Sequence, residues 1–218
     1  YAEIHNYIRN NKSSFENCIK ALKKIKELRG ENSFPIITTT FTISNYNFDK
    51  IDEILETVEP LVDILQFQHQ WFTDSASAKA YAIWAEKNLN LKSHYAGDFE
   101  TCSALEVDGG VVFDKIKKIR EKAKIYVRVY PDLTREETIK YYRGVEPVYN
   151  QFCINPWFGV FVKPNGDVVP CIDFVVGNLK TDSFKDIWNS EKMKLFRRKV
   201  KEQKFFPGCT RCCGFFCR

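Results

Sequence analysis

The sequence predicts an α/β protein that ends in a small cysteine-rich domain. Three observations carry this reading. Helical and strand periodicities alternate up to about Val145, prolines break the periodicity beyond it, and six of the eight cysteines follow that point. With 218 residues, 44% hydrophobic and 28% charged, the chain can bury a self-supporting core, which argues against disorder, collagen-like repeats or a coiled coil.

Phe15, Ile19, Leu22, Ile25 and Leu28 recur at three- and four-residue spacing before Gly30, the pattern of an amphipathic helix with a glycine stop. Cys18 sits beside Ile19 on that stripe and reads as a buried structural thiol. Phe34 to Ile43 is β-branched and bounded by turn formers, so a buried strand is expected. Phe48, Ile51, Ile54, Leu55 and Val58 predict a second helix ending near Pro60, and Val62 to Phe67 a second strand. Further helices are expected around Ala78 to Lys87 and Val111 to Lys122. Ile125 to Tyr130 alternates as a strand does, and Thr134 caps a short helix. The stretch between Lys87 and Gly110, which contains Cys102 and His94, gives no clear pattern; Cys102 reads as an inert thiol more than a substrate contact or radical relay.

Strands alternating with helices imply right-handed βαβ units and a parallel sheet, whose sites form at the carboxyl ends of strands. The residues there are Ser44, Asn45 and Asn47 after the first strand, and Gln68, His69, Gln70 and Trp71 after the second. His69 reads as a core histidine before a pocket-lining one. Beyond Val145, residues 160–169 form a hairpin in which Asn165-Gly166 supplies positive φ angles. Ser183 with Asp186 resembles a capping box, and Ser190 starts a helix through Met193 and Phe196. The sequence thus divides into residues 1–145 and 146–218.

The net charge of +5 is spread along the chain, so nucleic acid is not implied as a partner. No apolar run approaches membrane-spanning length and residues 1–4 do not read as a signal peptide, so a cytoplasmic protein without membrane contact is expected. Because residue 1 is Tyr, the chain is expected to belong to a longer product. The basic run Lys192, Lys194, Arg197, Arg198, Lys199 and Lys201 reads as a solvated helix face, or as a dock for an acidic leader peptide or electron donor.

The cysteines carry the chemistry. Cys209-Thr210-Arg211-Cys212 is a C-x-x-C knuckle, a spacing at which two thiolates can face one metal centre. Cys153 and Cys171 flank the hairpin and can close a four-thiolate site with it; Cys213 and Cys217 are alternative ligands or ligands of a second centre. By spacing alone, structural zinc and an iron–sulfur cluster stand even.

Resemblance separates them. A cysteine, twelve residues, Gly166, four residues, Cys171, then Gly177-Asn178-Leu179, Phe184-Lys185-Asp186-Ile187-Trp188-Asn189-Ser190 and Cys209-x-x-Cys212 resemble the auxiliary-cluster region, SPASM or Twitch, of radical S-adenosylmethionine (SAM) enzymes. His5-Asn6-Tyr7-Ile8-Arg9 and Ser14-Phe15-Glu16 are similar to the segment after the fourth strand of that family's partial (β/α) barrel, so the two strands that follow would be its fifth and sixth. The resemblance implies the second half of that barrel followed by a β-hairpin plus helix that holds an auxiliary 4Fe-4S cluster. It implies that Arg9 approaches the SAM carboxylate, and that Ser44, Asn47 and Gln68 line strand ends facing cofactor or substrate. It implies Cys153, Cys171, Cys209, Cys212, Cys213 and Cys217 as the pool of metal ligands.

In the complete family enzyme SAM and a second 4Fe-4S cluster generate a 5′-deoxyadenosyl radical that modifies a peptide, protein or small-molecule substrate. A reductant such as flavodoxin or ferredoxin supplies electrons. Two departures follow. The C-x-x-x-C-x-x-C loop that holds the SAM cluster is absent from this sequence, and Cys217 follows Cys212 at a spacing that favours one auxiliary cluster over two. The competing reading is a non-catalytic zinc-binding interaction module.

Overall fold

The computed structural model of the chain describes residues 1–92, 106–144, 148, 153–171 and 173–212. In chain order these form α1 (Ala2–Ile8), α2 (Ser14–Arg29), β1 (Thr38–Ile43), a 3-10 turn (Phe48–Glu53), α3 (Ile54–Val58), β2 (Ile64–His69) and α4 (Ser75–Leu89). Then come α5 (Gly109–Lys122), β3 (Tyr126–Tyr130), α6 (Arg135–Arg143), β4 (Phe161–Val162), β5 (Asp167–Val169), β6 (Gly177–Asn178), α7 (Phe184–Trp188) and α8 (Glu191–Gln203). They fall into two compact units, one of residues 1–70 and 103–144, the other of residues 71–102 and 145–218. The segment that carries α4 therefore belongs with the cysteine-rich part of the chain.

The first unit is a parallel sheet in the order β1-β2-β3. Its alternation separates two faces. Phe41, Ile43, Leu65, Phe67, His69, Val127 and Val129 are buried against helices. The opposite face aligns Thr40 with Gln66 and Arg128, and Thr42 with Gln68 and Tyr130. Parallel sheets are ordinarily covered on both faces by apolar side chains, so a polar face marks a surface turned toward water or a ligand.

Local chemistry fixes the surrounding helices. Gly30 ends α2 at φ +59, where a side chain would be strained. The Arg29 guanidinium pairs with Asp63, whose carboxylate also accepts from the Ile37 amide at 2.7 Å, joining the end of α2 to the strand entries. Asp108 caps α5 by accepting from Gly110 and Val111, and Thr134 with Glu137 closes a capping box on α6.

The second unit holds the antiparallel sheet β4-β5-β6 and helices α4, α7 and α8, capped by Asp74, Ser183 and Ser190. They enclose one apolar cluster that includes Tyr81, Ala85, Val168, Phe174, Met193, Phe196 and Phe206.

Several sequence expectations are corrected. The second helix is mostly a 3-10 turn with only Ile54–Val58 in α conformation. Gln68 and His69 lie within β2 and not after it. In the β4–β5 turn only Gly166 takes positive φ, at +93; its amide donates to the Lys163 carbonyl at 2.8 Å, so Pro164 and Asn165 sit at the centre of an ordinary turn. Cys18 is exposed, because α2 contributes no buried residue. The short helix α1 and strand β6 were not legible in the residue pattern.

His69 is 3% exposed, packs against Tyr141 and lies with Nδ1 2.7 Å from the Tyr142 hydroxyl. Burial lowers its pKa from 6.5 to about 4. The unfolded chain therefore takes up a proton below pH 6.5 that the folded chain refuses, so His69 lowers stability progressively as pH falls from 6.5 toward 4. The loss approaches about 3 kcal/mol at the acid end. Urea midpoints measured across this range are expected to fall more steeply for the wild-type chain than for His69→Gln; equal slopes would contradict the assignment.

Candidate metal centre

The cysteine site is assembled by turns. At the end of α8, Lys204 adopts φ +67 and reverses the chain, and its carbonyl accepts from the Cys153 amide at 3.3 Å. Phe206 follows, buried, and a 3-10 turn over Pro207–Cys209 is closed by the Cys209 amide donating to the Phe206 carbonyl at 2.9 Å. The Phe206 amide in turn donates to Cys209 Sγ at 3.3 Å. Backbone amides directed at sulfur stabilise thiolate charge and are one means of tuning iron–sulfur potentials. The knuckle is completed by the Cys212 amide donating to the Cys209 carbonyl at 3.2 Å.

Cys171 arrives from the other side, at the end of β5, where its carbonyl accepts from Phe174 at 3.1 Å. Cys153, Cys171 and Cys209 all pack on the same apolar cluster. Cys153, Cys171, Cys209 and Cys212 are reduced cysteines. Cys209 retains partial exposure as a residue, yet desolvation pushes its thiol up to about 12, with a further rise from Cys153 and partial relief from the Phe206 amide. Such a thiol is protonated at neutral pH, so metal loading must release its proton.

Arg211, between the two knuckle cysteines, is 1% exposed, lies over the Phe72 ring and donates to the Thr210 carbonyl at 2.9 Å. Among the described residues no group of three or more Cys, His, Asp or Glu is drawn in to the spacing of a single metal ion. Four thiols from two stretches of the chain are the donor chemistry of a thiolate-ligated cluster. Cys213 and Cys217 lie outside the described residues, as does Cys102.

The strand-end residues separate into different roles. Asn47 is 2% exposed and its amide is committed to the backbone, accepting from Ser44 N at 2.8 Å and donating to Thr42 O at 3.0 Å. Arg9, exposed after α1, lines with Asn47 a groove of about 380 Å³ along β1, between α2 and α3. Ser44 and Gln68 do not line that groove. Gln68 lies on the polar sheet face, in register with Thr42 and Tyr130. Ser44 Oγ and Gln70 Oε1, at adjacent strand ends, are buried without a hydrogen-bond partner among the described residues. The carboxyl end of a parallel sheet is where ligands commonly bind, and these atoms are positioned to accept or donate there.

The basic run is engaged in part. Arg197 lies over Trp188 at 4.4 Å and donates to the carbonyls of Pro156 and Trp188. Lys201 lies over Trp157, while Lys194 and Lys199 pair with Glu191 and Glu202. Arg197 and Lys201 thus pack on the cysteine-bearing segment, while Lys192, Lys194, Arg198 and Lys201 keep an exposed cationic helix face.

Residues 153–213 match the family model of the SPASM iron-sulfur cluster-binding domain. Neither the curated proteins nor the solved structures contain a match to the chain. The domain match supports an auxiliary-cluster domain over the stretch in which the turns gather Cys153, Cys171 and Cys209.

Thiol chemistry of the metal-free chain follows from these environments. Under anaerobic conditions at neutral pH, a maleimide is expected to label exposed Cys18 well before Cys209, and Cys209 labelling is expected to accelerate as pH rises. Peptide mass spectrometry of timed samples resolves the order; Cys209 reacting as fast as Cys18 at pH 7 would contradict the burial assigned to its thiol.

Proposed function

We propose that this chain is part of a radical SAM maturase or oxidoreductase in which residues 146–218 hold an auxiliary 4Fe-4S cluster and residues 1–145 form the second half of a partial (β/α) barrel. The single observation that carries the reading is the coincidence of the SPASM match with the turns that bring Cys153, Cys171 and Cys209 onto one apolar cluster. The ligands are drawn from these three, Cys212, and Cys213 or Cys217.

The first unit supports the barrel reading in two ways. Its sheet has a polar face with Thr42, Gln68 and Tyr130 in register, next to unsatisfied Ser44 and Gln70 at the strand ends. Its edge strand β1 borders an apolar groove, and the stripe of α2 is not buried, as though further chain packs there in the complete enzyme. Gln68, Ser44 and Arg9 would face SAM or substrate; Asn47 would hold the turn that presents Ser44. The SAM cluster would be supplied by a C-x-x-x-C-x-x-C loop outside this sequence.

When bound, the auxiliary cluster supplies one-electron chemistry or an iron that contacts substrate. The chain's own part is to exclude water with the Phe174, Phe196 and Phe206 rings, to direct the Phe206 amide at Cys209, and to hold the Cys153 segment against Lys204. The substrate class is a peptide, a protein or a small molecule, and the reductant is a flavodoxin- or ferredoxin-type carrier. A cytoplasmic setting fits these partners, and no helix among the described residues is long and apolar enough to cross a membrane.

Anaerobic reconstitution with iron and sulfide tests the central claim. A brown chain binding about four irons and about four sulfides is expected. Serine substitution of Cys153, Cys171 or Cys209 is expected to cut iron content several-fold, while Cys18→Ser leaves it unchanged. A colourless chain that instead takes up one zinc would establish the interaction-module reading.

A further inference from the structure

Tyr81 lies outside the stretch that matches the cluster-binding domain, yet it stands at the cysteine site. It projects from α4 and is 3% exposed. Its hydroxyl donates to Asp173 Oδ1 at 3.0 Å, two residues after Cys171. Its ring forms the floor beneath the other cysteine turn. A methyl group on Gly208, the residue before Cys209, would stand 3.1 Å from Tyr81 Cγ and 3.2 Å from Cδ2. The backbone of the Pro207–Cys209 turn therefore lies directly on the ring, an approach that a side chain at position 208 would crowd by a few tenths of an ångström.

The ring is itself held in place. It stacks on Trp84 at 5.9 Å, and Trp84 stacks on Phe206 at 3.9 Å, so α4 grips the turn on both sides of Pro207-Gly208. Both Cys171 and Cys209 stand near enough to add to the rise in the Tyr81 pKa, whose main cause is burial. One residue thus touches the approaches to two cysteines that are 38 positions apart in sequence.

We infer that Tyr81 is a positioning residue of the auxiliary cluster: its ring sets the Gly208–Cys209 turn, and its hydroxyl orients and partly neutralises the Asp173 carboxylate beside Cys171. The inference rests on the reading that these cysteines hold an iron–sulfur cluster. Its electrostatic content is specific. One-electron reduction adds negative charge to the centre, and a nearby carboxylate opposes that addition. The Tyr81 hydrogen bond weakens the opposition. Removing the hydroxyl while keeping the ring should make reduction harder, and removing the carboxylate charge should make it easier.

The test uses the full chain reconstituted anaerobically with iron and sulfide, as wild type, Tyr81→Phe, Asp173→Asn and Tyr81→Ala. Iron and sulfide content are measured together with the midpoint potential from a redox titration followed by electron paramagnetic resonance. Tyr81→Phe is expected to load to the wild-type level, with its reduction equilibrium constant lowered about threefold. Asp173→Asn is expected to load and to shift the constant upward by about tenfold. Tyr81→Ala is expected to lose at least half of its iron.

Opposite shifts in two fully loaded variants are an outcome that a purely structural tyrosine does not produce. If wild type loads iron while Tyr81→Phe and Asp173→Asn keep its potential, the inference is overturned and the cluster reading stands. If wild type takes up no iron, the cluster reading fails and the inference falls with it. The Tyr81→Phe potential decides the matter even if Tyr81→Ala does not fold.

Discussion

The aromatic stack of Tyr81, Trp84 and Phe206 is the constraint on which the cysteine site depends. A segment of some sixty residues, broken by prolines and carrying three very short strands, has little apolar surface with which to build a core. Here the core is completed by α4, which contributes Ala78, Tyr81, Ala85 and Leu89 to the cluster that also buries Phe174, Phe196 and Phe206. Burial of several aromatic rings against one another supplies both area and preferred geometry, so packing helps to fix the turns that carry Cys171 and Cys209. A preformed site lowers the ordering cost of metal binding.

The same packing sets the chemistry of the thiols. Surroundings apolar enough to fix the turns also desolvate Cys209 and hold it protonated. The site thus trades ready ionisation in the metal-free state for a dry setting in the loaded one. Hydrogen bonds from the Phe206 amide and charges such as Asp173 then have large effects, because little water screens them. Short strands, turns and one helix from earlier in the chain accomplish what a larger sheet would do elsewhere.

Much of this architecture was legible in the residues. β-branched runs announced β1, β2 and β3, and the caps Thr134, Ser183 and Ser190 are local signals that the structure satisfies with side-chain oxygens on backbone amides. Cys153, Cys171 and the C-x-x-C knuckle were recognisable because thiol spacing is a rare pattern. Other features depended on contacts between distant segments. Tyr81 looks like any aromatic residue on a helix, and nothing nearby in sequence signals that its partner is Asp173. Cys18 shows the reverse error: the periodicity of α2 is genuine, but periodicity reports an apolar stripe and not what covers it. Asn165-Gly166 suggested two left-handed residues, whereas Pro164 fixes a turn that needs only one.

Both units bury polar groups that their own packing does not satisfy. At the strand ends of the parallel sheet, Ser44 and Gln70 keep oxygen atoms buried and unsatisfied among the described residues, beside the face that carries Thr42, Gln68 and Tyr130 in register. Such groups lower the stability of an isolated fold and persist where a ligand completes them. In the cysteine-rich unit Tyr81 donates to Asp173 and the Phe206 amide to Cys209, while Trp84 Nε1 and one guanidinium nitrogen of Arg197 are buried without a hydrogen-bond partner among the described residues. Both units therefore keep buried polar atoms unsatisfied among the described residues, at the strand ends of one and beside the aromatic stack of the other, so the thiol chemistry and the domain match, and not polar satisfaction, distinguish the cysteine-rich unit.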